Sequence, residues 1–60
     1  MVKRIVIDDK WTYLTDLKVR KGTRVLLPPF PWSQYPWVGK VTSLISDYDG
    51  DCKWVMDVIK

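Results

Sequence analysis

The sequence predicts an all-β fold, five short strands closed into one small barrel with a long loop rich in proline and aromatic residues. Three observations carry this. Val, Ile and Thr supply 16 of the 60 residues and aromatics eight more, all of them strand formers. Ala and Glu, two strong helix formers, are absent. The apolar runs are short. A flat sheet of this size would leave its edges open and half its apolar residues in water, whereas closure removes both problems.

The elements follow in order. Arg4-Ile5-Val6-Ile7-Asp8 is a first strand and Trp11-Thr12-Tyr13-Leu14-Thr15 a second, with a tight turn near Asp9-Lys10 between them. A short helical turn from Trp11 to Leu17 competes with the second strand. Lys21-Gly22 punctuates the chain before Thr23-Arg24-Val25-Leu26-Leu27, a third strand that Pro28-Pro29 stops. Residues 28–36 include four prolines, which lack a donor N–H, so this segment is a stiff loop outside the sheet. Val38-Gly39-Lys40-Val41-Thr42-Ser43-Leu44-Ile45 is the fourth and longest strand. Gly39 within it marks a bulge or a close backbone approach. Asp47-Tyr48-Asp49-Gly50-Asp51 is a turn with Asp49-Gly50 at its tip, and Lys53-Trp54-Val55-Met56-Asp57-Val58-Ile59 is a fifth strand. No repeat or linker divides the chain, so residues 1–60 read as one domain.

Several of these features match a known pattern. Lys21-Gly22-Thr23-Arg24-Val25 looks like the G-x-x-V start of a first barrel strand, and Gly39-Lys40-Val41 like the Gly-x-Val centre of the next. Asp47 to Asp51 then stands for the turn, and Trp54-Val55-Met56-Asp57-Val58 for the strand that follows. Over residues 19–60 this order resembles the SH3-like small-barrel superfamily, especially its KOW and Tudor-type members. The short 3₁₀ turn and last strand usual in that family are not visible after Val58, and the N-terminal strand would supply the missing stave. The resemblance implies a binding module, because members bind nucleic acid, ribosomal or polymerase surfaces, or short peptides.

Composition excludes much chemistry. With no His, the chain lacks the usual general base and any imidazole ligand. Cys52 is the single cysteine, so no intrachain disulfide and no Cys/His zinc set can form. It reads as a small buried hydrophobe or turn-adjacent thiol, and a catalytic thiol would want a His partner. An unpaired cysteine also favours a reducing compartment. Asp47, Asp49 and Asp51 have the spacing of the first three ligands of a calcium loop. Cys52 and Val58 then stand where that loop needs Gly and Glu. We therefore expect no catalytic residue, no metal, no cofactor and no enzyme activity. No segment is long enough to span a bilayer, and the apolar run after Met1-Val2-Lys3-Arg4 ends at Asp8, too short for a signal-peptide core. The expectation is a cytoplasmic protein with no membrane partner, stable by only a few kcal/mol at this length.

Two surfaces remain. The first is basic. The net charge is +3, with seven basic and three acidic residues before Val25 and three basic and four acidic after it. Lys18, Arg20, Lys21 and Arg24 form a cluster, and strand alternation would put Lys18 and Arg20 on one face. Such a patch suits phosphate contacts; the bland alternative is a solvated face that keeps the chain soluble. The second is the aromatic loop Phe30, Trp32, Tyr35 and Trp37, in which every ring lies close to a proline. A stiff loop loses little entropy on binding, and its rings can stack on unpaired bases or anchor a protein interface. The alternative is that the rings fold back and cap the barrel. Trp32 and Tyr35, farthest from the flanking strands, are the expected exposed pair. Pro28-Pro29-Phe30-Pro31 also fits a P-x-x-P ligand string. Trp11 and Trp54, in strand patterns, are expected in the core.

The leading expectation is a module that binds nucleic acid, DNA or RNA. Lys18, Arg20, Lys21, Arg24 and Lys40 would meet phosphates, and Trp32, Tyr35 and Trp37 would stack on or grip the partner. The alternative is a small adaptor or inhibitor, of the kind a virus or mobile element encodes, docking on a larger host protein through Phe30, Trp32, Tyr35 and Trp37. A third reading is a homodimer that completes its barrel through an exposed edge.

Overall fold

Val, Ile, Thr and aromatic residues are grouped in short runs, and the two-residue period of the strands they form sets which side chains turn inward. A computed structural model describes residues 2–59. Met1, at the head of the N-terminal run considered above, and Lys60 lie outside them. Five strands form: β1 (Lys3–Ile7), β2 (Trp11–Thr15), β3 (Arg24–Leu27), β4 (Trp37–Ser43) and β5 (Asp57–Ile59). Every second residue is buried, Ile5 and Ile7 on β1, Tyr13 and Thr15 on β2, Val25 and Leu27 on β3, Gly39 and Val41 on β4. The strands make one antiparallel sheet in the order β2-β1-β4-β3-β5. A register shift at Val6/Ile7 marks a bulge between β1 and β4, which sharpens the bend there. No second layer covers the inner face. The sheet buries that face by curling on itself, with Val19 and Val55 contributed from outside the strands.

The sheet does not close into the predicted barrel. Closure would need a ladder between β2 and the C-terminal segment, and only one parallel bridge forms, Leu14 to Trp54. Leu14 N–H donates to Lys53 O at 2.9 Å, and Val55 N–H donates to Leu14 O at 2.8 Å. The chain then leaves β2, and Met56 N–H donates to Leu26 O of β3 at 2.8 Å. The run expected as one fifth strand is thus divided. Its first half meets one edge of the sheet and Asp57–Ile59 the other, so neither ladder is long enough to seal the gap.

Of the two turns the sequence suggests, the one near Asp9-Lys10 forms and the one at Asp49-Gly50 does not. Asp49-Gly50 does not form a hairpin tip, and β5 pairs with β3 rather than β4. Among the described residues the consecutive left-handed pair is Asp8-Asp9, at φ 51° and 59°, and Lys10 N–H donates to Ile7 O at 3.0 Å to close that turn. Two left-handed central residues match the right-handed twist of a β-hairpin, and Asp tolerates the conformation better than most residues. Asp8 is therefore a turn residue rather than the end of the first strand. Its Oδ1 accepts from Lys40 N–H at 3.2 Å and its own N–H donates to Lys40 O at 3.0 Å, which ties the turn to β4. The strand at Trp11–Thr15 forms over its full predicted length, so the helical alternative is not taken.

Gly39 is the close approach that its place in β4 suggested. A Cβ there would stand 2.9 Å from Leu27 Cδ1 and from Trp37 Cζ3, and would overlap Ile7 Cγ2. Gly39→Ala should destabilise the fold by about 1–3 kcal/mol, the usual range for an overpacked core. Urea denaturation followed by tryptophan fluorescence measures this, and an unchanged midpoint contradicts the packing described. Asp9→Gly should act in the opposite direction. Its side chain accepts no tertiary hydrogen bond, while its N–H, which donates to Thr42 Oγ1 at 3.0 Å, is retained. Relief of a left-handed Asp should raise stability by up to about 1 kcal/mol, less the backbone entropy that glycine adds to the unfolded chain. A lower melting temperature in scanning calorimetry would refute this.

Candidate functional site

The aromatic loop is built outward from the core. Trp37 opens β4, half-buried, with its ring over Gly39 and edge-on to Tyr13 at 6.3 Å and 67°. Phe30 stacks on Trp37 at 4.9 Å and 18°, and Trp32 stacks on Phe30 at 4.7 Å and 5°. Trp11 leans on the same phenyl ring at 5.2 Å and 55°. The result is a column of three rings, Trp37, Phe30 and Trp32, running from core to solvent and braced by Trp11. Each contact of this kind adds roughly 0.5–1.5 kcal/mol beyond burial. The backbone between Phe30 and Tyr35 is folded on itself. Ser33 N–H donates to Phe30 O at 3.0 Å, and Ser33 Oγ accepts from Tyr35 N–H at 3.3 Å.

The loop is divided between the two placements expected for its rings. Trp37 packs against the core and Phe30 stacks on it, whereas Trp32 and Tyr35, the expected exposed pair, are 76% and 75% exposed. The core expectation fails for Trp11 and Trp54, at 39% and 49% exposure. Trp11 pairs with Ile7 on the inward side of the hairpin, but it is the first residue of β2, past the end of the core. Alternation with the buried Val55 turns Trp54 out.

Beside the column lies a groove of about 450 Å³. Trp11, Phe30 and Trp32 line it together with Tyr48, Cys52 and three charged residues, Lys10, Lys53 and Asp51. Sequence reasoning missed Lys10, Tyr48 and Lys53. They meet the loop because residues 44–53 run beside β2 instead of forming a hairpin. Thr12 and Ser46 share a hydrogen bond of 2.9 Å between their hydroxyls, and the Lys53 carbonyl meets Leu14. This segment also covers part of the β2 edge. A Cβ at Gly50 would overlap the Tyr48 hydroxyl, so the glycine seats that ring rather than making a tip. Cys52 is partly buried, with its thiol 3.5 Å from Gly50 O.

None of the five predicted phosphate ligands lines this groove. Lys18, Arg20 and Lys21 sit in the loop between β2 and β3, not on a strand, and all are exposed. Arg24 and Lys40 face each other across β3 and β4 on the outer surface. Each strand separates the two surfaces. On β2 the aromatic end is Trp11 and the basic loop follows Thr15. On β3 the basic end is Arg24, and the other end, Leu27, pairs with Trp37. At about 3.3 Å per residue, that places the basic residues on the order of 10 Å or more from the rings.

Compared with protein families, curated proteins and solved structures, the chain matches none. Among the described residues no three His, Cys, Asp or Glu side chains gather as metal ligands, and no helix is long and apolar enough to cross a membrane.

Beneath the column, burial raises the Tyr13 phenol above its ordinary value of 10.0, and the neighbouring Trp37 indole offsets part of the rise. That indole Nε1 is itself buried without a hydrogen-bond partner, since the Tyr13 contact falls outside bonding geometry. The native state therefore prefers the neutral phenol. Its contribution is full below pH 10, the unfolded value, and disappears as pH rises through the higher folded value. Stability should fall as pH rises above 10.0 more steeply in the parent chain than in Tyr13→Phe. Denaturation midpoints across that range test this, and parallel curves would exclude Tyr13 as the source.

Proposed function

We propose that the chain is a binding module for single-stranded nucleic acid, DNA or RNA, with the Trp32 column as its stacking surface. The observation that carries the reading is the geometry of Trp32. One face of its ring rests on Phe30, and the ring is 76% exposed, which leaves the opposite face for an unpaired base. A ring already held by its neighbours loses little freedom when a base arrives. Lys10 and Lys53 stand beside it for the flanking phosphates, and Tyr35 offers a second exposed ring. Phe30, Trp37 and Trp11 support the platform rather than touch the ligand.

A protein partner is the second reading, favoured by the two large exposed rings on one stiff loop, residue types common at interface hot spots. Salt separates the two. Nucleic-acid affinity falls steeply with ionic strength, and aromatic anchoring in a protein interface does not.

Titration with short oligonucleotides at low salt should quench tryptophan emission. Trp32→Ala should weaken binding by about 5- to 150-fold, the equivalent of roughly 1–3 kcal/mol for one stacked base. No quenching by micromolar protein with tens of micromolar DNA or RNA refutes the proposal, as does a Trp32→Ala variant that binds like the parent.

A further inference from the structure

The basic loop is not a loose run of charges. Val19 is buried and anchors it. Arg20 N–H donates to Thr23 Oγ1 at 2.9 Å, and Thr23 N–H donates to Arg20 O at 3.0 Å. Gly22, at φ 92°, turns the chain so that its N–H reaches Val41 O at 2.7 Å. These bonds fix the loop against the sheet. They leave a concavity of about 420 Å³ lined by Lys3, Lys18, Val19, Arg20 and Thr23. Three of its five residues are cationic and none is acidic. Asp16, upstream in the same loop, does not line it. Lys3 enters from β1 because it pairs with Thr15, the last residue before the loop.

We infer that this concavity is a phosphate-binding site in its own right, separate from the aromatic groove, with Lys3, Lys18 and Arg20 as the contacts. Three cationic residues around one concavity, on a hydrogen-bonded backbone frame, suit neighbouring phosphate groups, because a guanidinium can bind two oxygens of one phosphate and ammoniums can neutralise the next. The grooves share no lining residue. A run of phosphates fits whether it is a free polyphosphate or a nucleic-acid backbone. The second source rests on the function proposed above.

Inorganic tripolyphosphate and a tetrathymidylate, followed by amide chemical shifts and tryptophan emission, test this. Tripolyphosphate should shift amides of residues 18–23 without quenching Trp32. Lys18→Gln with Arg20→Gln should weaken its binding about tenfold or more, as expected for lost charge-assisted contacts. Both side chains are exposed, so the fold should survive, and quenching by the tetranucleotide should stay within about twofold of the parent if stacking is a separate event. Shifts absent at low salt, or centred on Lys10 and Lys53, overturn the inference. So does quenching that falls in parallel with tripolyphosphate binding, which would make the two surfaces one. If tripolyphosphate binds the loop and the tetranucleotide quenches nothing, the phosphate site is supported and the stacking function fails. A tetranucleotide that also shifts residues 18–23 identifies the backbone as a ligand of the site.

Discussion

At Gly39 the backbone of β4 passes between Ile7 of β1, Leu27 of β3 and the ring of Trp37, with no room for a further carbon atom. Most of what matters in this chain depends on that contact. It lets the central strand approach its neighbours closely enough for one sheet to bury its own inner face. It also lets Trp37 lie flat at the mouth of the core, where Phe30 and then Trp32 can stack. A side chain at residue 39 would lift Trp37, and the column that brings an aromatic ring into solvent would lose its base. Stability and the candidate site therefore share one constraint, which leaves a 60-residue chain little freedom to vary either alone.

The strands were legible because their signal is local. Runs of β-branched and aromatic residues in Arg4-Ile5-Val6-Ile7 and Trp11-Thr12-Tyr13-Leu14-Thr15 report strands directly, and prolines at 28, 29, 31 and 36 exclude the loop from the sheet. The exposed pair Trp32 and Tyr35 could be read the same way, by distance from the flanking strands. What was not legible depended on partners far apart in sequence. Asp49-Gly50 carries a strong hairpin signature, yet Gly50 is needed under Tyr48. The turn near Asp9-Lys10 was legible, but not the backbone bonds that tie Asp8 and Asp9 to β4. The fifth strand looked continuous because composition cannot show that its two halves serve opposite edges. Lys10, Tyr48 and Lys53 escaped notice for a related reason. Nothing near them in sequence places them beside the rings.

The separation of the aromatic and basic surfaces follows from the path of the strands. Because β2 runs from Trp11 toward the basic loop and β3 from Arg24 toward the aromatic loop, the basic cluster and the rings stand at opposite ends of these strands. The proposed stacking and phosphate sites would then be distinct, and a ligand that used both would have to run along the sheet. Under that proposal Lys10 and Lys53, not Lys18 to Arg24, are the cations beside the rings.

Trp32, for all its exposure, is held in place because the column beneath it is rooted in the core. Nitrogen-15 relaxation of the Trp32 indole N–H measures this on the picosecond-to-nanosecond scale. The order parameter should lie near that of rigid backbone, about 0.85, and fall below about 0.6 when Phe30→Ala removes the middle ring. A Trp32 indole already mobile in the parent chain, or one unaffected by loss of Phe30, would contradict it.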